Sequence, residues 1–285
     1  MKYNLSIGNV SFQFEFQINL SVEKNLQPFL AEDIPEPDVK VKIQTNYFDA
    51  LKEKGIFVGE DLLLEYYSQN NGLLCVGKGG WKGNLSITAC DLDFHHLTCY
   101  LNPEVFSKNA YSIGNIMRLL PMRMIFQKKR VLFFHASQIA AGGIGILFSA
   151  PSGTGKTTQA KLWKNYRDAQ MICNDRTLVC KGKTYGCPID GSEPVISEKV
   201  HSLGAVVLLA QGKTNEIQRL KASLALPRMM EQLVFDVWNF HERELAMELL
   251  LEVLEKIPVY LLSCTPDEGA VICLEQQLKK DGVLK

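Results

Sequence analysis

The chain has 285 residues, enough for one large domain or two modest ones with a sizeable core. Apolar residues make up 46% and charged residues 22%, which excludes a disordered or low-complexity chain. Lysine plus arginine equals aspartate plus glutamate at 31 each, so no global field recruits nucleic acid or an anionic membrane.

The opening "MKYNLSIGNVSFQFEF" alternates polar and apolar residues, which predicts a strand and not the apolar core of a secretory signal. Phe12, Phe14, Phe16, Ile18 and Leu20 carry the alternation onward, and Val39, Val41 and Ile43 repeat it. "LLLEYYSQNNGLLCVGK" predicts a hairpin, with Asn71-Gly72 able to take positive φ at its turn. "NLSITACDLDFHHLTCYL" adds another strand or pair. Residues 1 to 105 therefore read as a small, mostly antiparallel β domain, and residues 106 to 285 as an α/β domain. The α/β part opens with a helical stretch at 111–129 that Pro121 divides. The basic run Lys128, Lys129 and Arg130 at its end reads as a solvated element end.

"VLFFHASQIA", a Gly142-Gly143 turn and "IGILFSA" predict a second hairpin. A helix follows Gly155, then a strand "AQMICND" and a hairpin around Gly182. The strand "AVVLLA", helices near 221–233 and 241–256, and the strand "PVYLLSC" come next. Pro266, Asp267 and Glu268 start a last helix, with acidic residues suited to its N-terminus. None of the apolar runs reaches the length of a membrane span. Eight cysteines without a regular framework predict reduced thiols and a cytoplasmic protein.

The stretch "SAPSGTGKTT", residues 149 to 158, lies between the predicted strand and helix, which is the setting a phosphate-binding loop requires. Such loops converge successive backbone N–H groups on phosphate oxygens while the following helix presents its positive end. Ser152, Gly153, Thr154, Gly155, Lys156, Thr157 and Thr158 are the binding candidates, with Lys156 supplying charge and the Thr157 hydroxyl a magnesium ligand. Ala150 stands where the first glycine of the pattern falls and costs little if its φ is negative. Asp175 ends the next predicted strand, eighteen residues past Thr157. That spacing leaves room for one helix and one strand, so Asp175 should lie beside the loop, as a metal ligand or as the base that activates an acceptor.

A histidine on a strand, a hairpin, "PSGTGKT", one helix and then "NDR" resemble the catalytic domain of HPr kinase/phosphorylase, whose nucleotide fold is shared with phosphoenolpyruvate carboxykinase. The resemblance covers roughly 130 to 275 and includes "IPVYLLSCTPDEGAV". It implies a phosphate-loop catalytic domain preceded by the β domain, and an ATP- and Mg²⁺-dependent kinase. Lys156 and Thr157 would hold phosphate and metal, Asp175 would match the catalytic acid, and His135 the strand histidine. Asn174 stands where HPr kinases have the first acid of a pair, and their arginine- and glycine-rich C-terminal signature has no match here. The expected acceptor is thus a hydroxyl other than that of HPr: a serine of a peptide or protein, or a small hydroxylated metabolite. A nucleotide-binding regulator with weakened turnover is the alternative. The β domain is the expected acceptor-binding part, and a homo-oligomer stays open.

Weaker constellations complete the reading. Glu193, with Asp190 as its rival, is a further metal-ligand candidate in the loop "PIDGSEP". Cys90, His95, His96 and Cys99 match none of the usual zinc spacings. Cys173, Cys180 and Cys187 read as small buried side chains. Arg219, Arg228 and Arg243 are candidates for charge on a transferring phosphoryl group.

Overall fold

A computed structural model describes residues 1–45, 55–80, 83–106, 111–189, 197–236 and 238–285. The chain divides into two compact units, Met1–Lys129 with Asp236–Glu242, and Arg130–Phe235 with Arg243–Lys285.

The first unit is built on the alternating segments. Its strands are β1 (Lys2–Ile7), β2 (Val10–Phe16), β3 (Leu30–Ala31), β4 (Val39–Gln44), β5 (Ile56–Glu60), β6 (Leu64–Gln69), β7 (Gly72–Gly77), β8 (Ser86–Asp91) and β9 (His96–Leu101). They form one sheet in the order β3-β1-β2-β4-β9-β8-β7-β6-β5. Neighbours pair antiparallel except β2 with β4 and β4 with β9, which run parallel. The opening stretch is itself a hairpin, because Gly8 and Asn9 both take positive φ (61° and 68°) and reverse the chain. Phe12, Phe14 and Phe16 are buried as their alternation requires, whereas Ile18 and Leu20 lie past the end of β2.

The β6–β7 hairpin forms, but its turn is Asn70–Asn71, since Gln69 and Gly72 are already a registered pair. Gly72 has no positive φ here. It is needed for close approach: a Cβ at this position would stand 1.9 Å from the Cys90 carbonyl oxygen on β8.

Pro121 divides the helical stretch as expected, into α1 (Ile113–Met117) and α2 (Met122–Lys128). Ser112 caps the first by accepting from the Asn115 amide at 3.3 Å. Both helices bury their apolar residues in the first unit. Phe126 meets Phe12 edge-on with ring centroids 6.1 Å apart, and the Leu119 carbonyl accepts from Thr88 Oγ1 at 3.2 Å. This packing moves the division of the chain from the expected 105/106 to 129/130.

The returning segment Asp236–Glu242 is held in the same unit by charge. Arg123 Nη1 lies 3.0 Å from Asp236 Oδ1 and 3.4 Å from Asp61 Oδ2, and Tyr66 donates to Asp61 at 2.9 Å. Burial, reinforced by Asp236, pushes the Glu242 carboxyl up to about 8. A carboxyl raised in the folded state contributes full stability below its unfolded value near 4.5 and loses it as pH rises towards 8. Glu242→Gln should remove this component, worth at most about 1.4 kcal/mol per pH unit. Denaturant unfolding from pH 4.5 to 8 should show the variant gaining on the wild type as pH rises. Parallel stability curves would show that Glu242 ionises freely in the fold.

The second unit contains β10 (Leu132–Ala141), β11 (Ile144–Ser149), α3 (Lys156–Arg167), β12 (Gln170–Cys173), β13 (Arg176–Cys180), β14 (Lys183–Gly186), β15 (His201–Gln211), β16 (Glu216–Arg219), α4 (Ala222–Met230), α5 (Phe240–Leu254), β17 (Val259–Cys264) and α6 (Glu268–Lys280). The first turn of α5 belongs to the first unit. The sheet order is β11-β10-β13-β14-β15-β17-β16, and β11 also pairs with β15, so five strands close a ring. β12 joins β10 beside β13. Strands β11, β15 and β17 run parallel and alternate their side chains between two cores. Phe148, Val207 and Leu262 face Ala160 and Trp163 of α3 and Leu274 of α6. Leu147, Val206 and Leu208 face Met229 of α4 and Leu250 of α5. Asp267 caps α6 by accepting from the Ala270 amide at 3.3 Å, as its acidic start predicts. The molecule is thus an α/β protein with two sheets. Among the described residues, no helix is long and apolar enough to cross a membrane.

Candidate active site

Strand β11 ends at Ser149 and α3 begins at Lys156, leaving residues 150 to 155 as the turn between them. Gly153 (φ 80°) and Gly155 (φ 116°) supply the backbone angles that side chains rarely adopt. Among the described residues nothing lies within 4 Å of where a Cβ would stand on either glycine, so both face the open side of the loop. A phosphate chain needs that space, and the residues present fit it. Ala150 is absent from the positive-φ residues and is buried in the core that contains Phe148 and Trp163. Its methyl group therefore packs without strain.

Lys156 is buried and its Nζ donates to the carbonyls of Ala150 at 2.8 Å and Pro151 at 3.3 Å. Burial lowers its pKa below the ordinary lysine value; Asp175 opposes that shift and Arg176 adds to it. Thr154 and Thr157 are half-buried, whereas Ser152, Gly153 and Thr158 are exposed.

The other half of the site comes from register. Strand β10 pairs with β11 on one side and with β12 and then β13 on the other. Cys173 registers with Gln138, and Arg176 with His135. Asn174 and Asp175 therefore turn opposite Ala136 and Ser137, where the Ala136 amide donates to the Asp175 carbonyl at 3.2 Å. Ala136 in turn registers with Ser149, the last residue of β11. Asp175 is thus brought to the end of β11, next to the start of the glycine turn.

There His135 Nε2 lies 3.0 Å from Asp175 Oδ1, and Arg176 Nη1 lies 3.3 Å from Asp175 Oδ2. Ser149 Oγ donates to the His135 carbonyl at 2.9 Å, which ties the histidine to the loop strand. Burial, then Lys156 and Arg176, hold His135 below the ordinary histidine value, against the opposing pull of Asp175. At neutral pH the imidazole is uncharged, and its Nε2–H donates to the carboxylate.

Asn174 is buried, and its carbonyl accepts from Ser137 Oγ at 2.6 Å. An amide at this position avoids the desolvation cost of a carboxylate. Glu193 and Asp190 lie outside the described residues.

Other expectations resolve individually. Arg219 pairs with Asp281 at 3.5 Å from β16, a strand with no forecast in the sequence. Arg228 is exposed and bonds the Leu224 carbonyl of its own helix. Arg243 is exposed on α5. Among the described residues, an arginine that does reach the site is Arg176, whose one signal was its position directly after Asp175. Cys173, Cys180 and Cys187 are buried, and burial pushes the Cys173 thiol up to about 11. Cys90 and Cys99 are buried in the first sheet, whereas His95 and His96 are exposed against Lys129 and Asp91.

Fold and site together define an α/β protein with a strand, glycine turn and helix beside a histidine–aspartate–arginine group. No family model matches the chain, and no curated protein matches it. Among solved structures, the HPr(Ser) kinase/phosphatase from Coxiella burnetii aligns at 11% identity over 53% of this chain and 98% of its own, with a TM-score of 0.31. That is a weak likeness of fold, and the chemistry of the site rests on the residues themselves.

Proposed function

We propose that the protein is an ATP- and Mg²⁺-dependent kinase that transfers the γ-phosphoryl group to a hydroxyl, in the first instance a serine of a peptide or protein. The observation that carries this reading is the His135–Asp175 pair at 3.0 Å, set by strand register at the end of β11 where the glycine turn begins. Ser152 to Thr158 would bind the phosphates through backbone N–H groups and the Lys156 ammonium. Thr157 and Asp175, with Glu193 as a further candidate, would hold Mg²⁺, which neutralises phosphate charge when bound and commonly takes only one or two carboxylates beside phosphate oxygens. The acceptor oxygen forms the new bond to phosphorus as the bond to the bridging oxygen of the nucleoside diphosphate breaks. Its proton passes to Asp175, while the Nε2–H of His135 keeps the carboxylate oriented.

A peptide acceptor is favoured by β5, the edge of the first sheet, where Ile56, Phe57 and Val58 are exposed. An apolar strand at a sheet edge suits an extended chain added as a further strand. A small hydroxylated metabolite is the other acceptor class. Asn174 supports a second reading, a nucleotide-binding regulator with weakened turnover, because it withholds one negative charge from the site.

Thermal unfolding with Mg-ATP tests the reading first. At a hundredfold excess over the dissociation constant, the stabilisation should be about 2.7 kcal/mol. No response to Mg-ATP, Mg-GTP or pyrophosphate would overturn it. Stabilisation without transfer of γ-label to any peptide, protein or metabolite would favour the regulatory reading.

A further inference from the structure

The glycine turn has two flanks, and only one carries the chemistry. On the β10 flank stand His135 and Asp175. On the other, β11 is followed by parallel β15 and then β17. There the turn and the ends of those strands enclose a cleft of about 360 Å³, lined among others by Gly153, Thr158, Gln159, Gln211, Thr265 and Pro266. That volume falls in the range of small-molecule sites. A phosphate chain laid across the turn with its reacting end at Asp175 directs its other end into this cleft.

Gln159 supplies the second observation. It occupies the first turn of α3, three residues after Lys156, and is 3% exposed. Its Nε2 donates to Cys264 Sγ at 3.2 Å, while its Oε1 is buried and has no hydrogen-bond partner among the described residues. Gln159 lines this cleft, and its unpaired amide oxygen is an acceptor that a donor entering with a ligand can satisfy once the side chain turns toward it.

We infer that this cleft takes the nucleoside end of the phosphoryl donor, and that Gln159 Oε1 accepts from the exocyclic amino group of adenine. The inference rests on the reading that the loop holds a triphosphate. It assigns adenosine recognition to residues outside the glycine turn, and it sets an adenine nucleotide apart from inorganic phosphate chains and from guanine, whose carbonyl would oppose the Gln159 oxygen.

Calorimetric titration of the full chain with Mg-ATP, Mg-GTP and Mg-tripolyphosphate tests it. Wild type should bind ATP at least tenfold more tightly than either alternative. Gln159→Leu should weaken ATP about tenfold, the order expected for one hydrogen bond to a base, and leave tripolyphosphate unchanged within about threefold. Gln211→Trp, an exposed position that lines the same cleft, should do the same by filling it. Equal affinity of wild type for ATP and tripolyphosphate would overturn the cleft assignment alone, and equal affinity for ATP and GTP would overturn the contact to Gln159. Equal losses of ATP and tripolyphosphate in both variants would also overturn the inference, by giving these residues a purely structural role. Binding of none of the three ligands would instead remove the kinase reading, a different failure.

Discussion

Replacing Asp175 with asparagine should lower phosphoryl transfer by roughly 10²–10⁴, the usual worth of a positioned general base. The expectation follows from what the substitution keeps and what it removes. An asparagine oxygen can still accept from His135 Nε2, now 3.0 Å from Asp175 Oδ1, and the backbone bond from the Ala136 amide is untouched. The basic oxygen and the ion pair to Arg176 are lost. Nucleotide affinity at saturating metal should change little, because the glycine turn is shaped by its own backbone and Lys156 Nζ is held by the carbonyls of Ala150 and Pro151. The Mg²⁺ concentration for half-maximal rate should rise, so turnover must be compared at saturating metal. The pH profile adds an independent reading. His135 is held below the ordinary value near 6.5 and stays neutral down to a lower pH. As pH falls through that lowered value, an imidazolium forms against Asp175 and weakens it as a base, so the wild-type rate should drop on that acid limb. Unchanged turnover in Asp175→Asn would leave Asp175 as a residue of the β12–β13 corner and place the base elsewhere.

How far this site was legible in the sequence depends on how local each feature is. Gly153, Gly155 and Lys156 are readable because their spacing fixes one turn between a strand and a helix. Asp175 is readable because eighteen residues leave few paths away from Thr157. The contact of Asp175 with His135 is not, since it depends on β10 being shared between β12 and β13, and periodicity gives a strand its face but not its partner. The parallel pairings of β4 escaped for the same reason. Arg176 was overlooked because an arginine after an acid reads as surface charge until the acid's position is known. Gly72 shows the opposite error: a local turn signal, Asn71-Gly72, was outweighed by a long-range need for backbone approach to Cys90. The division at residue 105 failed because α1 and α2 are amphipathic, and nothing in an apolar stripe says which sheet it will cover.

Trp163→Ala should destabilise the second unit by about 3–5 kcal/mol, the range for truncating a buried tryptophan. Trp163 is 1% exposed and belongs to the core shared by Phe148, Val207, Leu262 and Leu274, so it seats α3 on the parallel strands. Its Nε1 has no hydrogen-bond partner among the described residues, and the loss is therefore one of packing. Trp163→Phe, which keeps an aromatic ring in the same place, should recover more than half of it. Denaturant unfolding measures both, and a loss below about 1 kcal/mol for the alanine variant would mean that the site collapses around the smaller side chain. Helix α3 also begins at Lys156, which couples this core to the loop. The loop's own geometry is local, however: two glycines at positive φ and the bonds from Lys156 Nζ to Ala150 and Pro151. Mg-ATP affinity of the folded variant, measured well below its midpoint, should therefore stay within about threefold of wild type, a difference under 1 kcal/mol. A much larger drop would show that the helix must be clamped by its core for Lys156 to reach phosphate, and that the glycine turn is shaped from below.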